Sequence, residues 1–174
     1  MTKNNWSAIH SSERHDWRTP PELFEAVETQ VLPAVGSSWN FTLDAAANDE
    51  NHLCQDYFTE RDDALSQDWT TSGWVWLNSP YGRDIGKWVD KAIEEHHKGV
   101  RIVLLAFAST DTQWFAKAWE TAQMTIFLKG RVKFLDHTGR SRAPAPKGSV
   151  LFVFDIHNQE EAEFKLWDWS KDPS

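Results

Sequence analysis

At 174 residues, the chain has the length of one domain with a central sheet covered on both faces. Hydrophobic residues at 40% and charged ones at 25% fit a soluble globular protein, and a single cysteine, Cys54, excludes an internal disulfide framework. The net charge of −8 weighs against nucleic acid as a partner, but it is unevenly spread: Lys129 to Gly148 holds six Lys or Arg against one acid, a local +5 that leaves −13 on the rest.

Residues 1–16 are polar and read as a mobile tail ahead of a single domain spanning 17–174. Met1–Trp6 lacks the apolar core of a signal peptide, and the longest apolar run, Ile102 to Ala108, falls far short of the ~20 residues of a membrane span. The expectation is a cytoplasmic chain with no membrane contact. His10, His15 and His52 have no ligand spacing and His96–His97 face different ways on a helix, so no metal site is expected.

Thr19-Pro20-Pro21-Glu22 opens a helix to about Val31, with Thr19 as N-cap, Pro20 at the first helical position and Glu22 closing a capping box. Phe41 to Ala47 reads as a first strand running into a small-residue turn. There Asp44 is placed to accept from an ammonium group, and Ala45 and Ala46 let a ligand approach the backbone. Tyr57–Thr59 reads as a short second strand, followed by Asp62-Asp63-Ala64-Leu65. Trp74 to Leu77 is an apolar strand that ends in Asn78-Ser79-Pro80-Tyr81-Gly82, a tight turn at the strand's carboxyl end, where open α/β sheets bind ligands.

A helix over Asp84–His97 ends at Gly99, and Arg101–Ala108 is a continuous apolar strand of the kind buried on both faces. Asp111 caps the next helix, which carries Trp114, Phe115, Ala118 and Trp119, and Met124–Leu128 is a further strand. Arg131–Leu135 and Gly148–Phe154 read as an antiparallel pair at the sheet edge, and Asn158–Trp169 as an acid-rich terminal helix. The fold class is therefore α/β: a mostly parallel, doubly wound sheet with an antiparallel C-terminal hairpin.

The turn after Leu77 concentrates an amide oxygen (Asn78), a backbone carbonyl (Ser79), a fixed φ (Pro80) and a π-face (Tyr81). Two acceptors and a flat ring suit an exocyclic amine on a planar base. The tetrapeptide resembles the Asn/Asp-Pro-Pro-Tyr signature of S-adenosylmethionine-dependent amino-methyltransferases, with Ser79 in place of the first proline. The order of Thr-Pro helix, Asp44 turn, Asp63, Asn78 signature and basic segment is similar to that of the phage-type (Dam-like) DNA N6-adenine methyltransferases over roughly residues 16–155.

The resemblance implies a Rossmann-like domain that binds S-adenosylmethionine and methylates adenine N6 in double-stranded DNA, in a phage- or prophage-encoded enzyme of a bacterial cytoplasm. It further implies cofactor contacts from Thr19, Pro20, Asp44, Ala45, Ala46 and Asp63, with Glu60 and Asp56 both open as the acid for the ribose. Asn78, Ser79, Pro80 and Tyr81 would form the catalytic turn. Lys129, Arg131, Lys133, Arg140, Arg142 and Lys147 are the expected DNA-binding residues. Two other readings use the same residues: methylation of a protein or small-molecule amine or amide, and a catalytically inactive DNA-binding module on the same fold.

Overall fold

The computed structural model describes residues 17–155 and 163–170; the expected tail, residues 1–16, lies outside them. Seven strands form one sheet: β1 (Phe41–Asp44), β2 (Asp56–Tyr57), β3 (Trp74–Leu77), β4 (Arg101–Phe107), β5 (Met124–Leu128), β6 (Ser149–Phe154) and β7 (Glu163–Trp167). Their spatial order is β2-β1-β3-β4-β6-β5-β7. All neighbours are parallel except β6, which runs antiparallel to both β4 and β5.

Helices cover both faces of the sheet. Helix α1 begins at Pro21–Ala26, widens into a π-helical stretch over Val27–Val31 and closes with Leu32–Ala34. Pro33 explains the widening, because it has no N–H for the Thr29 carbonyl and its ring crowds the preceding turn. Phe24 of α1 packs on Phe41 (5.0 Å) and Trp76 (5.3 Å). Helices α2 (Ile85–His97) and α3 (Gln113–Thr121) pack against each other. Phe115 of α3 meets Phe152 at 5.1 Å. Trp76 pairs with Val103, whereas Phe152 pairs with the next residue, Leu104, so α1 and α3 lie on opposite faces.

The core strands follow from composition. Trp74–Leu77 and Ser149–Phe154 are buried at every position, because both of their faces are covered. Among the described residues no helix is long and apolar enough to cross a membrane.

Five expectations need correction. The helix start is capped by Pro20 with no side-chain bond, so the Thr19–Glu22 capping box does not form. The cap of α3 is Thr112, which accepts from the Phe115 amide, and not Asp111. The short second strand lies at Asp56–Tyr57, slightly earlier than expected. Arg131–Leu135 is no sheet strand: β6 sits inside the sheet, while Leu135 exchanges two backbone bonds with Arg18 (3.1 and 2.9 Å). Finally, Glu163–Trp167 is β7 rather than helix, paired in parallel with β5; residues 158–162 of the expected helix lie outside the described residues. Glu, Ala, Lys and Leu there are helix formers, but the free edge of β5 supplies a hydrogen-bonded ladder that outweighs propensity.

Gly73 starts β3 so close to its neighbour that an added Cβ would lie 2.3 Å from the Asn40 carbonyl and 2.8 Å from Thr42 Oγ1. The obstacle is backbone and cannot swing aside. Gly73→Ala is expected to lower the urea unfolding midpoint, with a loss of about 2–3 kcal/mol.

Candidate active site

Strands β1, β3 and β4 are parallel, so their carboxyl ends gather on one edge. A cleft of about 650 Å³ opens there. Its walls include Trp17 and Arg18, the Ala45–Ala47 turn after β1, the 59–65 segment after β2, and Asn78 and Pro80 after β3.

The alanine turn is pinned from both sides. Ala45 N–H donates to the Trp76 carbonyl (3.0 Å) and Ala47 N–H to that of Phe58 (2.9 Å). With methyl groups only, this wall brings a ligand close to the main chain. Across from it, Asp63 has φ +52°, the one non-glycine positive φ among the described residues, and its side chain is exposed at the cleft. Its carbonyl is fastened by the Ser66 amide and hydroxyl, both at 2.8 Å. Aspartate tolerates this left-handed conformation better than most residues.

Asn78 is the centre of the site. Its Nδ2 donates to the Trp17 carbonyl at 2.6 Å and to Thr19 Oγ1 at 3.1 Å. A backbone carbonyl only accepts, so the amide nitrogen must face it and the oxygen must face away. Oδ1 is buried and has no partner among the described residues. A buried acceptor left without a donor costs about 1–3 kcal/mol, which a ligand N–H relieves. Thr19 thus serves Asn78, and Pro20 supplies the helix cap behind it.

Ser79 and Tyr81 do not line the cleft; they lie beside it, both buried, with hydroxyls lacking partners. The Tyr81 ring stacks on Phe107 at 4.1 Å and stands edge-on to Trp17 and Phe134. Burial drives the Tyr81 phenol far above its ordinary range, so it stays neutral.

Asp44, expected to accept from an ammonium group, has its carboxylate engaged within the chain. It is buried and turned into its own loop, accepting from the amides of Ala46 (3.3 Å) and Leu53 (3.0 Å). Of the two acids left open for the ribose, Glu60 lines the cleft and Asp56 lines a separate depression. Residues the sequence reading did not single out are Asn48 and Asn51, which close a tight turn on the cleft wall, and Phe58 and Trp88. An Asn-x-x-Asn turn carries no signal distinguishing it from any other loop. Among the described residues, no group of three or more His, Cys, Asp or Glu side chains is placed to hold a metal ion.

The basic segment divides. Lys129 pairs with Asp168 (3.2 Å), Arg131 donates to the Ala145 carbonyl (3.0 Å) and Lys147 to Ser109 Oγ (3.1 Å). Arg142 lies over the Trp17 ring at 5.1 Å. Lys133 and Arg140 are exposed and make no ion pair among the described residues. Asp136 shapes the loop tip by accepting from Thr138 and from the Arg140 amide, which holds its carboxyl down at about 2.

Comparison with known proteins adds independent findings. The profile of a family described as DNA N-6-adenine-methyltransferase (Dam) matches residues 6–170. A DNA N-6-adenine-methyltransferase of Escherichia phage T1 is 32% identical over 154 residues, 79% of this chain and 61% of that protein, so the match spans about three fifths of the relative's length. One from Haemophilus phage HP1 is 26% identical over 89% of this chain and 85% of its own. A crystal structure of a Listeria monocytogenes protein assigned to the class I S-adenosylmethionine-dependent methyltransferases superposes with a TM-score of 0.51, covering 88% of this chain and 67% of that one. At 13% identity that likeness shows the fold.

Burial raises the Asp44 carboxyl from 3.8 to about 6, against the lowering effect of the Leu53 and Ala46 amides and of His52. The folded protein therefore holds this proton more tightly than the unfolded chain does. The contribution of Asp44 to stability is greatest below pH 4 and is lost as pH rises through about 6. Carbon-13 NMR of the side chain is expected to show a titration near pH 6, and Asp44→Asn is expected to flatten the stability profile in that window.

Proposed function

The chain belongs to the DNA N-6-adenine-methyltransferase (Dam) family, and on that footing we propose that it methylates the N6 amino group of adenine in double-stranded DNA, using S-adenosylmethionine. The observation that carries this reading is the orphaned, buried Oδ1 of Asn78, fixed in orientation by the Trp17 carbonyl and Thr19. Among the described residues nothing in the packing uses that oxygen. An exocyclic amine does.

The cleft suits the cofactor. Ala45 and Ala46 leave room against the main chain, Glu60 and Asp63 offer acceptors for hydroxyls and amines, and Pro80 and Trp88 supply apolar wall. Thr19 and Pro20, at the start of α1, frame the side nearest Asn78. When bound, S-adenosylmethionine supplies an electrophilic methyl group on a sulfonium.

The chain's part is to present a poor nucleophile correctly. The adenine N6 lone pair is delocalised into the ring. Asn78 Oδ1 accepts one of its hydrogens and the Ser79 carbonyl the other, which favours a more tetrahedral nitrogen and stabilises the positive charge as it develops. Tyr81, stacked on Phe107 beside the cleft, backs the turn that receives a base extruded from the duplex. Much of the acceleration is then positioning. Lys133 and Arg140 grip phosphates, while Lys129, Arg131, Arg142 and Lys147 hold the basic segment against the body and add to its positive field. The setting that fits these parts is one catalytic domain, from residue 17 onward, acting in the cytoplasm of a phage-infected or lysogenic bacterium.

Transfer of labelled methyl to unmethylated duplex DNA, followed by digestion to nucleosides, is expected to yield N6-methyladenine. Asn78→Ala should lower kcat by about 10²–10³-fold, as loss of one preorganised partner does. Asn78→Asp should also lose activity, because a carboxylate has no N–H for the Trp17 carbonyl. Label in another nucleoside, or full activity of the alanine variant, would sink the reading.

For the basic segment, Lys133→Ala and Arg140→Ala are each expected to weaken DNA binding across sequences. Each should shift the slope of log K against log salt by about 0.9 toward zero, read by fluorescence anisotropy at several salt concentrations.

A further inference from the structure

Helix α2 carries a carboxylate that the reaction does not use. Glu95 is 0% exposed and accepts three donors: Lys91 Nζ at 2.6 Å, Lys98 Nζ at 2.8 Å and the Trp69 amide at 2.9 Å. Lys91 is itself buried. Buried ion clusters are poor sources of stability, since desolvation offsets most of the attraction, so this one calls for another explanation.

The explanation lies in what Trp69 does next. Its indole, fully buried, donates from Nε1 to the Ala64 carbonyl at 2.9 Å. Ala64 begins a single 3-10 turn, Ala64–Ser66, and Asp63, Ala64 and Leu65 all line the cleft. Asp63 is the residue held at φ +52°, a conformation that persists only where surrounding contacts over-determine it. Three fastenings do so: the Ser66 bonds to the Asp63 carbonyl, Gln67 Nε2 on the Asp62 carbonyl (2.7 Å), and the Trp69 indole on Ala64. Only the last is anchored in a helix.

We infer that Glu95 is a positioning residue for the cofactor: through Trp69 it fixes the 63–65 wall of the cleft in the shape that receives S-adenosylmethionine. The inference rests on the reading of the cleft given above. It assigns to a buried residue of α2, which touches neither cofactor nor DNA, control over affinity for the cofactor alone.

The test uses the full chain, with Glu95→Gln, Trp69→Phe and the double variant, and Val150→Ala in β6 as a control for general destabilisation. Calorimetry measures binding of S-adenosylmethionine, and anisotropy measures duplex DNA binding. Each single variant is expected to weaken cofactor binding roughly tenfold, as loss of one buried hydrogen bond does, with kcat at saturating cofactor and DNA affinity within about twofold. The double variant should be no worse than the weaker single, because both act on the same peptide. In cofactor-free protein, hydrogen exchange at the Ser66 amide should accelerate in both singles and stay slow in the control.

Unchanged cofactor affinity in a folded Glu95→Gln protein overturns the inference. So do additive effects, or an equal loss of cofactor binding in Val150→Ala. If Glu95→Gln fails to fold, Trp69→Phe alone decides, because it keeps the amide bond to Glu95 and removes only the indole donor. Wild-type protein that binds no S-adenosylmethionine overturns the reading of the cleft as well, and is thereby told apart from failure of this inference alone.

Discussion

The orientation of the Asn78 amide at the carboxyl edge of the sheet depends on one short hydrogen bond, from that side chain to the main-chain carbonyl of Trp17. A terminal amide can rotate, and rotation would exchange a donor for an acceptor on the side that faces away from Trp17. A carbonyl removes that freedom, because it accepts and never donates. The partner belongs to the backbone, so no side-chain substitution at position 17 deletes it; a substitution can only move it. What holds it still is packing. Trp17 stands edge-on to Tyr81, Phe107 and Phe134, under the guanidinium of Arg142, and the next residue is bridged to Leu135. The basic segment and the Asn78–Tyr81 turn are thus parts of one packed unit, joined through a residue at the entry to α1.

Electrostatics follows the same division of labour. The chain is acidic overall, yet the excursion between β5 and β6 carries a local net charge of +5. Four of the six cations there are committed to contacts that shape the excursion or tie it to the body. Two stand clear of ion pairs at its surface. The segment therefore uses most of its charge twice, once to build itself and once as field.

The interior strands were legible because burial on both faces leaves continuous apolar runs: Trp74–Leu77, Arg101–Phe107 and Met124–Leu128 stand where the sequence puts them. Site chemistry was partly legible. The Asn-Ser-Pro-Tyr turn is local, and the structure brings Asn78, Pro80, Ala45, Ala46 and Asp63 to a common cleft. Failures arose wherever a distant partner competes with a satisfactory local one. Thr19 has a local use as a helix cap, yet it bonds to Asn78, 59 residues on. Asp44 has the look of an acceptor for a ligand, but two nearby amides capture it. Glu163–Trp167 has helical composition, and the free edge of β5 makes it a strand. The role of Trp17 was out of reach for a further reason: it is played by a carbonyl, which every residue has.

The placing of β6 has a consequence for how the protein is made. This strand lies between β4 and β5, both of which precede it in the chain. On the ribosome, the two neighbours emerge with their inner edges bare, and they stay so until residue 154 has cleared the exit tunnel. The first half of the sheet can assemble as it appears, but the second is a keystone arch whose centre stone comes late. A nascent chain stalled before Ser149 carries the whole Asn78–Tyr81 turn and still lacks the strand that joins β4 to β5. The sheet is therefore completed from within: the facing edges of β4 and β5 are satisfied only when β6 arrives between them.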